Sequence, residues 1–249
     1  MRNSFRTLLA AFAVVTMVAF VGCFKDDTND TNGDDTFIPS PGPDPRPVPE
    51  GWVDLGLPSG LLWATCNLGA ITPEEYGNYY AWGEVIGKNT FNWSTYRYGS
   101  AEGSMTKYCP MSGWGRDGYQ DGLTTLQPDD DAATAVLGNG ARTPTIEDWA
   151  ELVSNTTEDW VAQNGVYGRK FIAANGNSIF LPAAGRRIDT VSVDDNTGYY
   201  WSSSLSWNDY GYYYPPQAWC FEFSSDNRVY SRAFRYYGLS VRAVRATQN

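Results

Sequence analysis

The chain of 249 residues carries 28 acids and 4 cysteines but no histidine. Without histidine there is no Ser-His-Asp or Cys-His catalysis, no His-ligated zinc and no imidazole base. Cys66, Cys109 and Cys220 show no C-x-x-C spacing, and three thiols cannot all pair with one another. They are expected as small buried apolar groups, with one disulfide and one free thiol as the alternative. The run Asp117-Gly-Tyr-Gln-Asp121-Gly122 starts like a calcium loop. Tyr119 at its third place and Pro128 at its twelfth remove needed carboxylates. Glu84 and Glu222 would need to stand about 5–10 Å apart to hydrolyse a glycosidic bond. Nothing in the sequence singles them out from solvated surface acids. No catalytic set, metal or cofactor is therefore expected.

Recognition chemistry is better represented. The stretch "YYWSSSLSWNDYGYYYPPQAWCFEFSS" begins at Tyr199, and 15 of the 39 residues from Tyr199 to Tyr237 are aromatic. Tyrosine offers a large contact area with few rotors to freeze, and Ser, Gly and Asn beside it adapt their hydrogen bonds. The contact residues expected on this basis are Trp207, Asn208, Tyr210, Tyr212, Tyr213, Tyr214, Tyr230 and Tyr236. Tyr210 to Pro216 reads as loop from its Gly, Asn and Pro content. A solvent-facing sheet is the plainer alternative, because aromatics favour strands.

The order of elements along the chain explains how such a surface would be presented. Arg2 and Arg6 precede 14 mainly apolar residues, Leu8 to Val21, short of the about 20 that span a bilayer. Gly22-Cys23 and the following Lys25-Asp26-Asp27 look like a bacterial lipobox with a surface-export signal, so Cys23 is the expected lipidation site and residues 1–22 a signal peptide. Residues 23–50 read as a tether. The acidic part cannot bury enough apolar surface to order itself, and proline at every second position from Pro39 to Pro49 favours an extended spacer of about 34 Å. Residues 51–249 hold 21 acids and 14 bases, net −7, which argues against nucleic acid.

Within 51–249 the helical signal is concentrated in "TPTIEDWAELVSN". Thr145 caps it, Asp148 completes a capping box, and Trp149, Leu152 and Val153 form the apolar stripe. A weaker first turn is expected at Thr72-Pro73. Strands are expected on both sides of Pro58-Ser59-Gly60, in a hairpin turning at Asn175-Gly176 as type I′, and in another near Asp226-Asn227. Leu239, Val241 and Ala243 alternate with Ser240, Arg242 and Val244 as a closing strand. Tyr98 to Asp131 is Gly-rich and aperiodic, the signature of a functional or disordered segment. The fold class is α+β and loop-rich, with short antiparallel strands and one main amphipathic helix.

The blocks "VDLGLPSGLLWATCNLGA", "PEEYGNYYAWGE", "RTPTIEDWAEL", "NGNSIFLPAAG", "YYWSSSL" and "YYGLSVRAVR" resemble the Fibrobacter succinogenes major paralogous domain family from about Val53 to Arg245. That family is similar to C-type-lectin-like folds. The resemblance implies a domain whose last strand pairs near the first, with one face of long loops, and exported adhesin-like members. With the strand alternation, it puts Trp201, Trp219, Phe221 and Phe223 inward. Gln127-Pro128-Asp129 and Trp207-Asn208-Asp209 spell tripeptides of calcium-dependent sugar-binding lectins. There the two lie close together; here the predicted helix separates them, so they read as chance. Cys220 has neither the cysteine partner nor the basic neighbour that formylglycine-type chemistry requires. Similarity to retroelement-diversified display proteins implies variable positions at Ser206, Asn208, Tyr210, Tyr212, Tyr213, Tyr214, Tyr230 and Ser231.

The expected protein is thus an outer-membrane lipoprotein facing the cell exterior, touching the membrane only through its N-terminal lipid. Its domain would bind a glycan or protein ligand without catalysis. A subunit of a surface filament or fimbria is the alternative, and an enzyme the third reading.

Overall fold

A computed structural model describes residues 51–207 and 212–247; the predicted leader and tether, including Cys23, together with Asn208 and Tyr210, lie outside the described residues. β1 (Trp52–Asp54) and β2 (Leu61–Ala64) form an antiparallel pair joined by the Leu57–Gly60 turn. α1 (Ala132–Leu137) and α2 (Ile146–Asn155) come next. The strands β3 (Thr156–Gln163), β4 (Val166–Ala173), β5 (Ser178–Pro182), β6 (Arg186–Ile188) and β7 (Val191–Val193) follow. β8 (Gly198–Trp207), β9 (Tyr213–Phe223), β10 (Arg228–Phe234) and β11 (Val244–Ala246) complete the order. The sheets are β1-β2-β11, β3-β4-β5, β8-β9-β10 and the ribbon β6-β7, with every strand pair antiparallel. The class is α+β and loop-rich, and the last strand joins the first pair.

Local signals account for several elements. Thr145 Oγ1 accepts from Asp148 N (3.2 Å) while the Asp148 carboxylate accepts from Thr145 N (2.7 Å), so the capping box forms at α2. Trp149 and Leu152 are buried beneath it. The β4–β5 connection differs from the expected type I′ turn, because only Gly176 is left-handed in it (φ 87°). Asn175 instead donates to Asp54 O (2.9 Å), and the link becomes a three-residue loop with glycine at the left-handed place. The β9–β10 link closes at Ser224–Asn227, as the Asp226-Asn227 signal predicts. Thr72-Pro73 makes one turn and stops, since Asn78 N bonds to Leu68 O (2.8 Å) rather than back along a helix.

The β8-β9 part of the β8-β9-β10 sheet is buried on both faces, while β10 is exposed from Arg228 to Tyr230. Trp201, Leu205, Ala218, Cys220 and Ala233 join one core with Trp82 and Tyr108. Tyr200, Phe221 and Phe223 join the other with Trp63, Trp149 and Phe171. Aromatic crowding in this stretch is therefore the alternation of two cores, and Phe223 lies directly over Gly198, where an added Cβ would meet its ring at 2.1 Å. Trp219 departs from the inward expectation. It is half-buried in the middle of β9, with the Arg232 guanidinium 4.8 Å over its ring.

The closing segment buries its polar set as well as its apolar one. Ser240 and Arg242 are fully buried, because residues 239–244 are bonded on both sides. Ala64 N bonds to Ala243 O and Leu68 N to Val241 O, while Trp201 N bonds to Ser240 O. Arg242 donates to Asn67 Oδ1 (3.0 and 2.8 Å) and to the carbonyls of Ala64 (3.0 Å), Thr65 (2.8 Å) and Phe180 (2.9 Å). Asn67 then donates to Tyr76 O and to the Tyr200 hydroxyl, which donates to Pro182 O.

The aperiodic stretch is ordered by side chains rather than ladders. Arg235, also fully buried, donates to the Tyr96 hydroxyl (2.7 Å) and to the carbonyls of Lys107 (3.1 Å) and Pro215 (2.9 Å), with Trp82 4.9 Å beneath it. Asp121, read above as an incomplete calcium ligand, accepts from the amides of Tyr108, Cys109 and Leu123. Asp130 is buried between Tyr98, Tyr108 and Lys107, and Asp131 caps α1. Burial alone would raise the Asp130 pKa. Bonds from Lys107, Tyr108 and Tyr98 outweigh it and hold the carboxyl below its ordinary 3.8.

Two outcomes follow. Arg242→Met removes the donor to five acceptor contacts and should lower stability by roughly 3–5 kcal/mol in urea melts with an unchanged slope. Asp130 has a depressed folded-state pKa, so its contribution is complete above the ordinary carboxylate value and fades as pH falls through it. Burial shifts Asp131 the opposite way, so whole-protein acid curves mix the two. The stability gap between the parent and Asp130→Asn should be widest near neutrality and narrow below about pH 4.

Candidate functional site

Of the predicted contact residues, Trp207, Tyr212, Tyr213 and Tyr214 lie at the end of the β8–β9 pair where Trp207 faces Tyr213, and two bulges explain how they get there. Between Trp201/Cys220 and Leu205/Ala218 three residues on β8, Ser202–Ser204, stand against one on β9, Trp219. Their backbone turns away from β9 to other segments: Ser203 O accepts from Leu126 N (2.9 Å) and Ser203 N donates to Pro144 O (2.7 Å). Trp82 Nε1 donates to Ser202 O (2.8 Å) and Ile146 N to Ser204 Oγ (3.2 Å). Further out, between Leu205/Ala218 and Trp207/Tyr213, the extra residues fall on β9 and include Pro215-Pro216. Proline has no N–H for a ladder, so a bulge is where a strand tolerates it. The carbonyls left over are taken by Ser206 Oγ, which donates to Gln217 O (3.0 Å) and Tyr214 O (3.3 Å), and by Arg235.

Tyr213 and Tyr214 therefore begin a strand rather than lie in a loop. Tyr212 is 61% exposed, Trp207, Tyr213 and Tyr214 are half-buried, and Ser206 is fully buried. The reading of Ser206 as a variable contact position is corrected, since its hydroxyl completes the bulge. Tyr213 meets Trp207 edge-on at 6.2 Å, Trp207 meets Trp219 at 5.3 Å, and Arg232 caps Trp219. These rings make a continuous aromatic tier, and the exposed Tyr212 directly precedes Tyr213 in the chain. Tyr214 instead donates to Glu102 (2.6 Å) and packs edge-on against Trp114 at 4.7 Å. Burial, and then its bond to Glu102, push its hydroxyl pKa up to about 12.

Tyr236 and Tyr230 stand apart from that tier. Tyr236 packs on Trp93 (4.7 Å), Tyr237 (4.8 Å) and Phe234 (5.6 Å) in a half-buried cluster, and burial, then Tyr237, raise its pKa to about 12. Tyr230 is 41% exposed and pairs with Phe221. Phe221 lies 8 positions along β9 from Tyr213, a separation of about 26 Å in a regular strand. The single loop-built face expected from sequence is thus replaced by the tier next to Tyr212 in the chain, the Tyr236 cluster and a separate Tyr230. Trp114, Glu102, Trp93 and Arg232 were missed, and no local pattern marks them, because their partners are distant in the chain.

The remaining chemistries have definite fates. Cys66, Cys109 and Cys220 are free and buried, and burial raises the thiol pKa of Cys109 and Cys220. Glu84 is committed to Lys88 (2.8 Å) and to Arg97 N (2.9 Å). Among the described residues no group of three or more His, Cys, Asp or Glu side chains is placed to hold a metal ion. Comparison with protein-family models, with curated proteins and with solved structures finds no match for this chain.

Exposure separates the roles of neighbouring aromatics. Tyr212→Ala should change unfolding free energy by less than about 0.5 kcal/mol. Trp207→Ala, which removes the middle ring of the tier, should cost about 2 kcal/mol. Matched thermal melts check the pair; equal losses would show that Tyr212 is part of the packed frame.

Proposed function

We propose that the chain is a cell-surface lipoprotein whose C-type-lectin-like domain captures a glycan or protein ligand without catalysis. Its N-terminal leader, Cys23 and acidic, proline-rich tether support display from the outer membrane, outside the cell. The β1-β2-β11 order supports the lectin-like reading of the fold. The observation that carries the binding role is Tyr212, 61% exposed and next in the chain to the Tyr213–Trp207–Trp219 tier. A rigid aromatic frame bearing an exposed ring immobilises little on binding, which is what a recognition surface requires.

One observation favours the filament reading. β10 is an edge strand with Val229 and Tyr230 about 40% and 41% exposed, and such an edge can accept another strand. A monomer at high concentration on size-exclusion chromatography argues for capture over assembly. The direct check is a glycan and host-protein array probed with the parent and with Tyr212→Ala. The substitution should abolish or strongly weaken any signal while leaving the melting temperature unchanged. Full binding by that variant would move the site elsewhere.

A further inference from the structure

Away from the aromatic tier, a groove of about 150 Å³ opens where β4 and β5 meet β1 and the residues after β2. Val53 and Phe180 give it an apolar side, and Thr65, Gln163, Lys170 and Ser178 bring polar groups. Its volume is about half that of the smallest drug-sized pockets, which suits one small ring. Lys170 stands directly opposite Asp159 in the β3–β4 ladder. A cross-strand ion pair is the ordinary outcome there, yet among the described residues no carboxylate lies within ion-pair distance of Lys170. Lys170 lines the groove instead. Gln163 is held at the rim, its amide donating to Glu74 (2.5 Å), whose carboxylate Asn164 also bonds (3.0 Å).

We propose that this groove binds a small monoanionic sugar acid. The ligand carboxylate pairs with Lys170, its hydroxyls bond to Thr65, Gln163 and Ser178, and its ring packs on Val53 and Phe180. One lysine supplies one positive charge. Asp159 and Glu74 nearby, on a domain of net charge −7, make a dianion less favourable than a carboxylate. A neutral sugar forgoes the ion pair. The inference is independent of the aromatic tier.

Ligand-observed NMR titration of the full chain in detergent provides the test, with glucuronate, glucose 6-phosphate and glucose as probes. Glucuronate should bind saturably and at least about tenfold more tightly than the other two. Lys170→Met keeps the apolar stem and should lose that advantage, Ser178→Ala should weaken glucuronate several-fold, and Tyr212→Ala should leave it unchanged. Ser178→Ala carries the same test if Lys170→Met melts early. Absence of glucuronate binding, equal affinity for the phosphate ester or the neutral sugar, or undiminished affinity in both groove variants would overturn the proposal.

Discussion

Two guanidinium groups with no carboxylate partner among the described residues organise this domain. Arg242 and Arg235 are both fully buried, and each spends its donors on backbone carbonyls and a neutral side chain. Burying a cation is costly unless its hydrogen bonds are supplied, so the surrounding segments must stay where their carbonyls converge. Lysine offers a point charge with three donors, whereas arginine offers a planar fork of five that can hold several strands of backbone together. Arg242 gathers β2, the Asn67 turn and β5. Arg235 gathers the Lys107 stretch, Tyr96 and the proline bulge of β9. Both substitute for regular ladders in a chain where irregular segments carry much of the core.

The bulges of β8 and β9 extend the same logic to the aromatic end of the sheet. Ser202–Ser204 turn their backbone groups toward Thr124–Leu126 and Pro144–Ile146, so the strand is fastened to two loops as well as to its neighbour. Pro215-Pro216 ends regular pairing, and Ser206 and Arg235 satisfy what pairing leaves over. Trp207 and Tyr213 are thereby presented at the end of a stiff frame, with Tyr212 next in the chain.

Much of the scaffold was legible because its signals are local. The Thr145–Asp148 capping box, the Leu57–Gly60 turn and the Ser224–Asn227 turn each depend on residues within a few positions. The burial of Arg242 and Ser240 was not legible, because alternation marks a strand without showing that its segment is bonded on both sides. Tyr213 and Tyr214 looked like loop since glycine and two prolines surround them; the bulge that keeps them in a strand depends on Arg235, about 20 residues onward. Of the site, Tyr212 and Trp207 could be read from composition. Trp114 and Glu102 could not, because they reach Tyr214 from a segment whose order rests on distant partners.

The bonding pattern also sets a route for mechanical load. A molecule held at residue 51 and gripped at Tyr212 would carry tension from β1 to β2, across the Arg242 segment, and into β8 through the bonds between Ser240 and Trp201. The guanidinium that fills the core therefore lies in series with anchor and grip, where a pull meets backbone bonded on two sides.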